Sequence, residues 1–226
     1  MPLLQQPPDP QRPDRADSTD RRHATGAWLA LAAILSVGAL LAWPLPRAAI
    51  DWQPALAWTQ AWRAFTAAAV HYSGLHLGAN LLGAALVAAL GVVANVPVRM
   101  VWAWGAAWPL TQFGLLLKPE LLHYGGLSGV LHAGVAVASL YLVMCGARAQ
   151  RWIGVAILAG ACIKVIGETP WGAPLRHGGG WDIAVAPLAH ATGLIAGLLC
   201  AGVAEIVARR RQPRQPRMRR TSDVVE

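Results

Sequence analysis

Six long apolar stretches follow one another along the chain, separated by short segments that contain charged residues, proline or glycine. A helix needs roughly 20 apolar residues to cross the hydrocarbon core of a bilayer. The pattern therefore predicts an all-α fold, a polytopic membrane protein with a six-helix membrane domain over residues 26–208. The predicted spans are 26–43, 75–95, 98–117, 127–145, 152–167 and 187–207.

Two polar flanks enclose this domain. Residues 1–25 balance four aspartates against four arginines and lack core-forming residues, which predicts a disordered cytoplasmic tail. Residues 209–226 hold seven arginines against Asp223 and Glu226, which predicts a basic cytoplasmic tail. No aromatic platform accompanies these arginines, so we expect them to lie beside anionic lipid of the bilayer and to bind no nucleic acid.

The number of spans and the basic residues together predict the orientation. With an even number of spans and both tails inside, fourteen arginines lie on the inner face and four basic residues in the outer loops. The positive-inside rule then puts both termini in the cytoplasm. The alternative is a cleaved signal peptide, suggested by Arg21-Arg22 ahead of the first span, which would leave five spans. We favour an uncleaved span, because the stretch is long and lacks a clear A-x-A site.

The composition excludes an ordinary soluble domain. Hydrophobic residues make up 55% of the 226 residues and charged residues 13%, whereas soluble domains carry about 25% charged residues. The three cysteines are too few for a disulfide scaffold. Each cysteine lies within an apolar run, so we expect all three to be buried small residues.

Polar residues at membrane depth are costly without partners, and they mark candidate sites. His76 and Asn80 are four residues apart at the outer end of the second span, so they share one helix face. His71 lies in the loop just before them. Hydrogen bonds between packed helices would also explain these residues.

Two further clusters begin the fourth and sixth spans. Ser128 lies in the glycine-rich run 125–129, where the missing side chains let a ligand approach the backbone. His190 lies about one turn before Gly193, and Gly193 and Gly197 belong to a small-residue stripe that permits close helix packing. The helix that packs on this stripe would therefore come close to the imidazole.

Together the clusters suggest acyl-transfer chemistry. A serine hydroxyl needs a base to become a nucleophile, and neutral imidazole is the usual base near pH 7. Ser128 and His190 supply these two groups. A tetrahedral intermediate also needs hydrogen-bond donors for its oxyanion, and the Ser128 N–H, His76 and Asn80 are the candidates.

The ordered set of motifs resembles that of the rhomboid intramembrane serine proteases. The matching motifs are Trp62-Arg63-x-x-Thr66, His71-x4-His76-x3-Asn80, Gly126-x-Ser128-Gly129 and Ala189-His190-x-x-Gly193-x3-Gly197. The resemblance implies a six-transmembrane-helix rhomboid-like bundle, a catalytic dyad of Ser128 and His190, and an oxyanion hole formed by His76, Asn80 and Ser128. It implies no metal and no cofactor, and supporting roles for His71, Gly126, Gly129, His132, Gly193 and Gly197.

Within the rhomboids, the run 124–132 (Tyr-Gly-Gly-Leu-Ser-Gly-Val-Leu-His) looks most like the rhombosortase subfamily. This likeness implies a protein of the bacterial inner membrane whose active site opens toward the periplasm. The implied partners are membrane-anchored proteins that end in a Gly-Gly sorting tail with a transmembrane segment. Ala133 departs from the family pattern, which has glycine there. His132 lies one turn deeper than Ser128, and we expect its hydrogen bond to reach a neighbouring span.

Several polar features stay open. Lys164 and Glu168 are four residues apart at the end of the fifth span; a structural ion pair is favoured, and the alternative is that they recognise substrate, with Glu168 binding a basic or amino group. Asp182 precedes the histidine of the sixth span by eight residues, yet the sequence places no acid as a third catalytic member. Residues 169–186 form either a lid over the site or a plain outer loop.

Two other functions fit parts of the pattern. One is a catalytically silent rhomboid-like protein that binds membrane helices, although the presence of both Ser128 and His190 argues against it. The other is a membrane haem protein, suggested by six histidines in outer loops and at outer span ends. Those histidines lack the facing pattern that haem ligation requires.

Overall fold

The computed structural model describes residues 12–178, 180 and 182–211, with side chains from residue 18 onward. This part of the chain consists of α-helices joined by loops, which confirms the predicted all-α fold. The helices are α1 (Arg12–Ala42), α2 (Arg47–Ile50), α3 (Arg63–Thr66), α4 (Gly74–Val93), α5 (Val98–Phe113), α6 (Ser128–Cys145), α7 (Arg148–Gly167) and α8 (Pro187–Arg211). Short 3-10 turns occupy Pro54–Leu56, Ala67–Ala69 and Gly114–Leu117.

Five of the described helices are long and apolar enough to cross a membrane, namely α1 from Ser18 onward, α4, α6, α7 and α8. The third predicted span, 98–117, is shorter as a helix. α5 ends at Phe113, and the chain continues only as the turn Gly114–Leu117. Pro109 lies inside α5 and has no N–H to donate, so the helix loses a hydrogen bond near its end.

The N-terminal flank differs from the disordered tail predicted over residues 1–25. α1 begins at Arg12, so residues 12–25 extend the first span as helix. Adding residues to an existing helix is far easier than nucleating a new one, and Pro13 is tolerated because the first turn has no use for its N–H. Residues 1–11, and residues 212–226 of the predicted basic tail, lie outside the described part.

α6 lies at the centre of the bundle. It packs against α4, α5, α7 and α8, while α1 packs on α4 and α5. Ten of the 18 residues of α6 are buried inside the protein, whereas α7 buries two of its 20. The helix that begins with Ser128 is therefore held from several sides, and α7 lies at the periphery.

Two tryptophans, one on α1 and one on α5, fill the core between these helices, α4 and α6. Trp28 and Trp104 are fully buried, and their ring centroids are 4.5 Å apart. Their indole N–H groups donate to Val87 O at 3.1 Å and to Val130 O at 2.8 Å, respectively. Gly91 leaves room for Trp28, since a Cβ at Gly91 would lie 2.1 Å from the indole. Because both indoles find acceptors, their burial leaves no donor unpaired.

The outward faces of the helices are apolar as well. Leu82 on α4 and Ile163 on α7 are each more than 60% exposed. The prediction that the cysteines are buried is wrong, because Cys145 is exposed and Cys162 and Cys200 are half-buried. Lipid is as apolar as the protein core, so an apolar run does not reveal which of its residues face inward.

The segment between α1 and α4 covers the end of the bundle at which α4, α6 and α8 begin, here called the site end. Asp51 and Arg63 are buried and form an ion pair 3.5 Å long. Thr66 Oγ1 donates to a backbone carbonyl of α2 at 2.7 Å. Trp52 and Tyr124 exchange two backbone hydrogen bonds of 2.7 and 2.8 Å. These contacts tie the segment to the strand-like stretch that leads into α6.

An ionic cluster closes the opposite end of the bundle. Glu205, in the last third of α8, is only 4% exposed. It binds Arg99 of α5 at 2.9 Å and Arg209, one turn further along α8, at 3.0 Å. A carboxylate as buried as this one is stable only when it is paired, so the cluster joins the start of α5 to the end of α8.

Replacing Glu205 with alanine is expected to lower the free energy of unfolding by roughly 2 kcal/mol, because both arginines lose their charged partner. Thermal unfolding in detergent measures the change. Glu120→Ala is the matched control, because Glu120 is half exposed and lies 3.8 Å from Lys118; such pairs contribute about 0–1 kcal/mol. Equal losses in the two variants would contradict the role given to Glu205.

Candidate active site

The hydroxyl and the imidazole that the sequence singles out lie in contact at the site end. Ser128 is the first residue of α6, and His190 is the fourth residue of α8. Ser128 Oγ is 2.9 Å from His190 Nε2, a normal hydrogen-bond distance. With the hydroxyl donating and the imidazole accepting, the base is in position to take the serine proton.

Glycines let α6 and α8 approach closely enough for this contact. A Cβ on Gly193 would lie 2.0 Å from Gly129 O, and a Cβ on Gly197 would lie 2.4 Å from Ala133 O. The predicted small-residue stripe of α8 thus packs directly on the backbone of α6, as in small-xxx-small helix pairs. Ala133 fits within this contact and is fully buried.

A carboxylate contacts the other ring nitrogen of His190. Glu168 follows the last residue of α7, and its Oε2 lies 2.6 Å from His190 Nδ1. Its Oε1 accepts from Lys164 Nζ at 2.7 Å, so the predicted ion pair is present. Burial raises the pKa of Glu168, but the interactions with His190 and Lys164 outweigh it and bring the pKa down to about 2. Glu168 is therefore ionised near neutral pH.

His132 lies beside the serine–histidine pair. Its ring stacks on that of His190, with the centroids 4.4 Å apart and the planes 18° apart. The prediction that His132 bonds a neighbouring span is wrong, because its Nδ1–H donates to Ser128 O of its own helix at 2.7 Å. A carbonyl can only accept, so this bond puts the ring hydrogen on Nδ1. The fixed ring of His132 in turn restrains the ring of His190.

The candidate oxyanion donors line the same cavity as Ser128. Asn80 is 5% exposed, and its Nδ2 has no acceptor among the described residues. The Tyr72 N–H donates to His76 Nδ1 across 3.5 Å, which leaves Nε2 as the donor of that ring. The Ser128 N–H begins a helix and has no acceptor within it. A buried unpaired donor costs about 1–3 kcal/mol, so the Asn80 amide suits a site that receives an oxyanion.

Gly126 brings His76 close to the serine. Its φ is 148°, a backbone conformation that residues with side chains rarely adopt. A Cβ there would also lie 3.0 Å from His76 Nε2. Glycine is thus needed at this position both for the turn and for the approach of the imidazole.

His71 and Tyr124 support the site from the loops. The His71 Nδ1–H donates to Ala69 O at 3.1 Å, and the ring centroid lies 4.7 Å from that of His76. Burial lowers the pKa of His71, so this ring is neutral near pH 7. Tyr124 donates to Gly126 O at 3.3 Å, and burial raises its pKa to about 12. Both groups are therefore uncharged supports of the site.

One open cavity of about 1160 Å³ contains these groups. The polar residues at its head are His76, Asn80, Ser128, His132, Glu168 and His190. From there it extends between α4 and α7, where apolar side chains such as Leu86, Leu90 and Ile157 line it. The loop after α7 borders the cavity and is fastened to the start of α4 by a 2.7 Å bond from Ser73 Oγ to Asp182 Oδ1.

The structure gathers the predicted site residues at one end of the bundle, with Gly193 and Gly197 in the helix contact behind them. It departs from the sequence analysis in two respects. His132 bonds its own helix and not a neighbouring span. Glu168 lies beside the histidine, where the sequence places no acid. Both oxygens of Glu168 have partners within the protein, Lys164 at one and His190 at the other. The sequence does carry a signal for this contact. A carboxylate follows the end of one predicted span and a histidine begins the next, so the two lie at the same end of the bundle.

A comparison with protein-family models and with curated proteins finds no match for this chain. The chemistry of the site is therefore the basis for assigning a function.

Proposed function

We propose that the protein is a rhomboid-type intramembrane serine endopeptidase in which Ser128 is the nucleophile and His190 the general base. The observation that carries this proposal is the 2.9 Å contact between Ser128 Oγ and His190 Nε2, which joins residues 62 positions apart. Two further features support it: the open cavity that contains the serine, and the buried Asn80 Nδ2, a donor without an acceptor that lines the same cavity.

The first half of the reaction forms an acyl-enzyme. Ser128 Oγ attacks the carbonyl carbon of the scissile peptide bond while His190 Nε2 takes the hydroxyl proton. The carbonyl electron pair moves onto oxygen, and the Ser128 N–H, His76 and Asn80 stabilise the oxyanion. The C–N bond then breaks, and the imidazolium gives its proton to the leaving amine. An ester joins Ser128 to the N-terminal part of the substrate.

The second half releases the product. Water attacks the ester carbonyl, and His190 takes one of its protons. The C–O bond to Ser128 breaks, and the serine oxygen regains a proton from the imidazolium. The product leaves as a carboxylic acid. An amine or alcohol acceptor would follow the same proton transfers and give an amide or an ester instead.

We propose that six helical segments cross the membrane, the third being α5 with the turn that follows it. The 16 residues of α5 rise about 24 Å at roughly 1.5 Å each, and the four residues of the following turn add about 8 Å at roughly 2 Å each. Together they match a hydrocarbon core about 30 Å thick. With six spans, fourteen arginines favour cytoplasmic termini. The site end then opens toward the periplasm of a bacterial inner membrane.

The substrates we propose are membrane-anchored proteins with a C-terminal tail of rhombosortase type, which has a Gly-Gly motif, an apolar helix and a basic end. The cavity supports this class, because its walls between α4 and α7 are largely apolar. An apolar helix would lie between those walls. Its small-residue motif would then reach the serine.

The haem alternative finds less support. His190 uses one ring nitrogen toward Ser128 and the other toward Glu168, so neither is left to bind iron. The stacked ring of His132 uses its Nδ1 toward a backbone carbonyl.

Labelling with a fluorophosphonate tests the proposal. This reagent forms a covalent bond with an activated serine, so the purified wild-type protein should be labelled and Ser128→Ala should not. Ser36→Ala is the matched control, because Ser36 lies on α1 and its hydroxyl donates to a backbone carbonyl of the same helix. Labelling that persists in Ser128→Ala would refute the assignment. Co-expression with a protein carrying a Gly-Gly tail then tests the substrate class, since only the wild type should remove the tail.

A further inference from the structure

His190 has a partner at each ring nitrogen. Nε2 lies 2.9 Å from Ser128 Oγ, and Nδ1 lies 2.6 Å from Glu168 Oε2. An ionised carboxylate only accepts, so the ring hydrogen belongs on Nδ1. That tautomer leaves Nε2 free to take the serine proton, whereas the other tautomer would block it.

We propose that Glu168 is a positioning residue that holds His190 in this tautomer and offsets the positive charge of the imidazolium formed during the reaction. The proposal rests on the proposed function, because it has meaning only if Ser128 and His190 react. It replaces the dyad implied by the family resemblance with a set of three: Ser128, His190 and Glu168. Glu168 touches no reacting atom and acts through the imidazole.

The contact with His190 is more than a by-product of the ion pair with Lys164. A Lys–Glu pair four residues apart on a helix needs no third partner. Here the second carboxylate oxygen is turned inward to a histidine whose side chain is 7% exposed. Lys164 Nζ also lies 3.3 Å from His190 Nδ1, but two N–H groups cannot bond each other. That proximity results from the carboxylate they share.

The other groups around His190 do not supply negative charge. His132 stacks on it, and His76 faces it across the site from α4. Lys164 is cationic. Asp182 accepts instead from the hydroxyl at the start of α4. In the described surroundings of the imidazole, Glu168 is thus the group that can offset the imidazolium charge.

The ion pair makes a sharp test possible. In Glu168→Gln, Lys164 can only donate, so it holds the amide oxygen and turns the amide NH2 toward His190 Nδ1. The amide then donates to Nδ1, and the ring hydrogen moves to Nε2, where it blocks the serine. We expect the rate of fluorophosphonate labelling to fall by on the order of 10²–10⁴, as when the aspartate of a serine protease triad becomes asparagine.

Removing the lysine as well should restore part of the rate. In the double variant Lys164→Met/Glu168→Gln the amide is free to turn its oxygen toward Nδ1, which favours the productive tautomer again. We expect labelling about tenfold faster than in Glu168→Gln alone. A gain from adding a second substitution cannot come from a damaged fold.

The pH dependence of labelling separates positioning from support of the fold. Without the negative charge the imidazole is harder to protonate, so the acid limb of the rate should move to lower pH in Glu168→Gln. A damaged fold would lower the rate without moving the limb. Glu120→Gln is the matched control, since Glu120 is half exposed and pairs with Lys118. It should keep the wild-type rate and profile.

The outcomes distinguish this proposal from the proposed function. A wild-type rate in Glu168→Gln, an unmoved acid limb, or a double variant no faster than the single one would overturn the role of Glu168 and leave Ser128 and His190 as they are. A wild-type protein that is not labelled, or a Ser128→Ala variant that is labelled, would overturn the proposed function itself.

Discussion

Labelling of Ser128 is expected to slow by about 100-fold or more when Gly193 is replaced with alanine. The new Cβ would lie 2.0 Å from Gly129 O. Both atoms are fixed to helix backbones, so α6 and α8 must separate by roughly 1 Å to restore a normal contact. Ser128 and His190 lie on these two helices, and a displacement of about 1 Å in an active site can cost 10²-fold in rate. The labelling rate in detergent measures the effect.

Gly202→Ala is the control for this prediction. Gly202 lies on the same helix, and a Cβ there would meet nothing within 4 Å. The same substitution should therefore keep the wild-type labelling rate. If Gly193→Ala also kept it, the close helix contact would not set the serine–histidine distance.

Replacing Asn80 with alanine is expected to slow catalysis by about 10²–10³, the usual cost of losing one oxyanion donor. The same loss is expected for His76→Ala. Both variants leave the contact between Ser128 and His190 in place, so the loss should appear in kcat with little change in KM.

Thermal stability distinguishes an oxyanion donor from a residue that only packs two helices together. Asn80 Nδ2 has no acceptor among the described residues, so removing it should leave thermal stability unchanged or slightly higher. Leu82→Ala, on the lipid-facing side of the same helix, should keep the wild-type rate. If Asn80→Ala lost stability and kept its rate, Asn80 would be a helix-packing residue, the alternative that the sequence leaves open.

The contact between Ser128 and His190 could be predicted from sequence because it depends on local patterns that survive folding. A glycine stripe of period four indicates which face of α8 is packed, and the histidine lies near that stripe. The pairing of His76 with Asn80 follows equally from helical spacing. Such features depend on helix geometry alone.

The contact of Glu168 with His190 could not be derived in this way. It depends on where α7 ends, how α7 tilts and how the loop returns to α8. The periodicity of hydrophobic residues specifies none of these. The burial of the cysteines was mispredicted for a related reason, because hydropathy does not separate lipid-facing from core-facing residues. The length of α5 was overestimated because the apolar run continues past Pro109 while the helix soon ends.

The indole of Trp28 makes α1 part of the packing around the central helices. It lies against Gly91, donates to Val87 O and packs against the tilted ring of Trp104. Removing α1 would leave a cavity as large as an indole beside the central helices and take away the additional donor that Trp28 provides to Val87 O. α1 therefore supports the packing of the helices that hold Ser128 and His190, although it contributes no residue to the site.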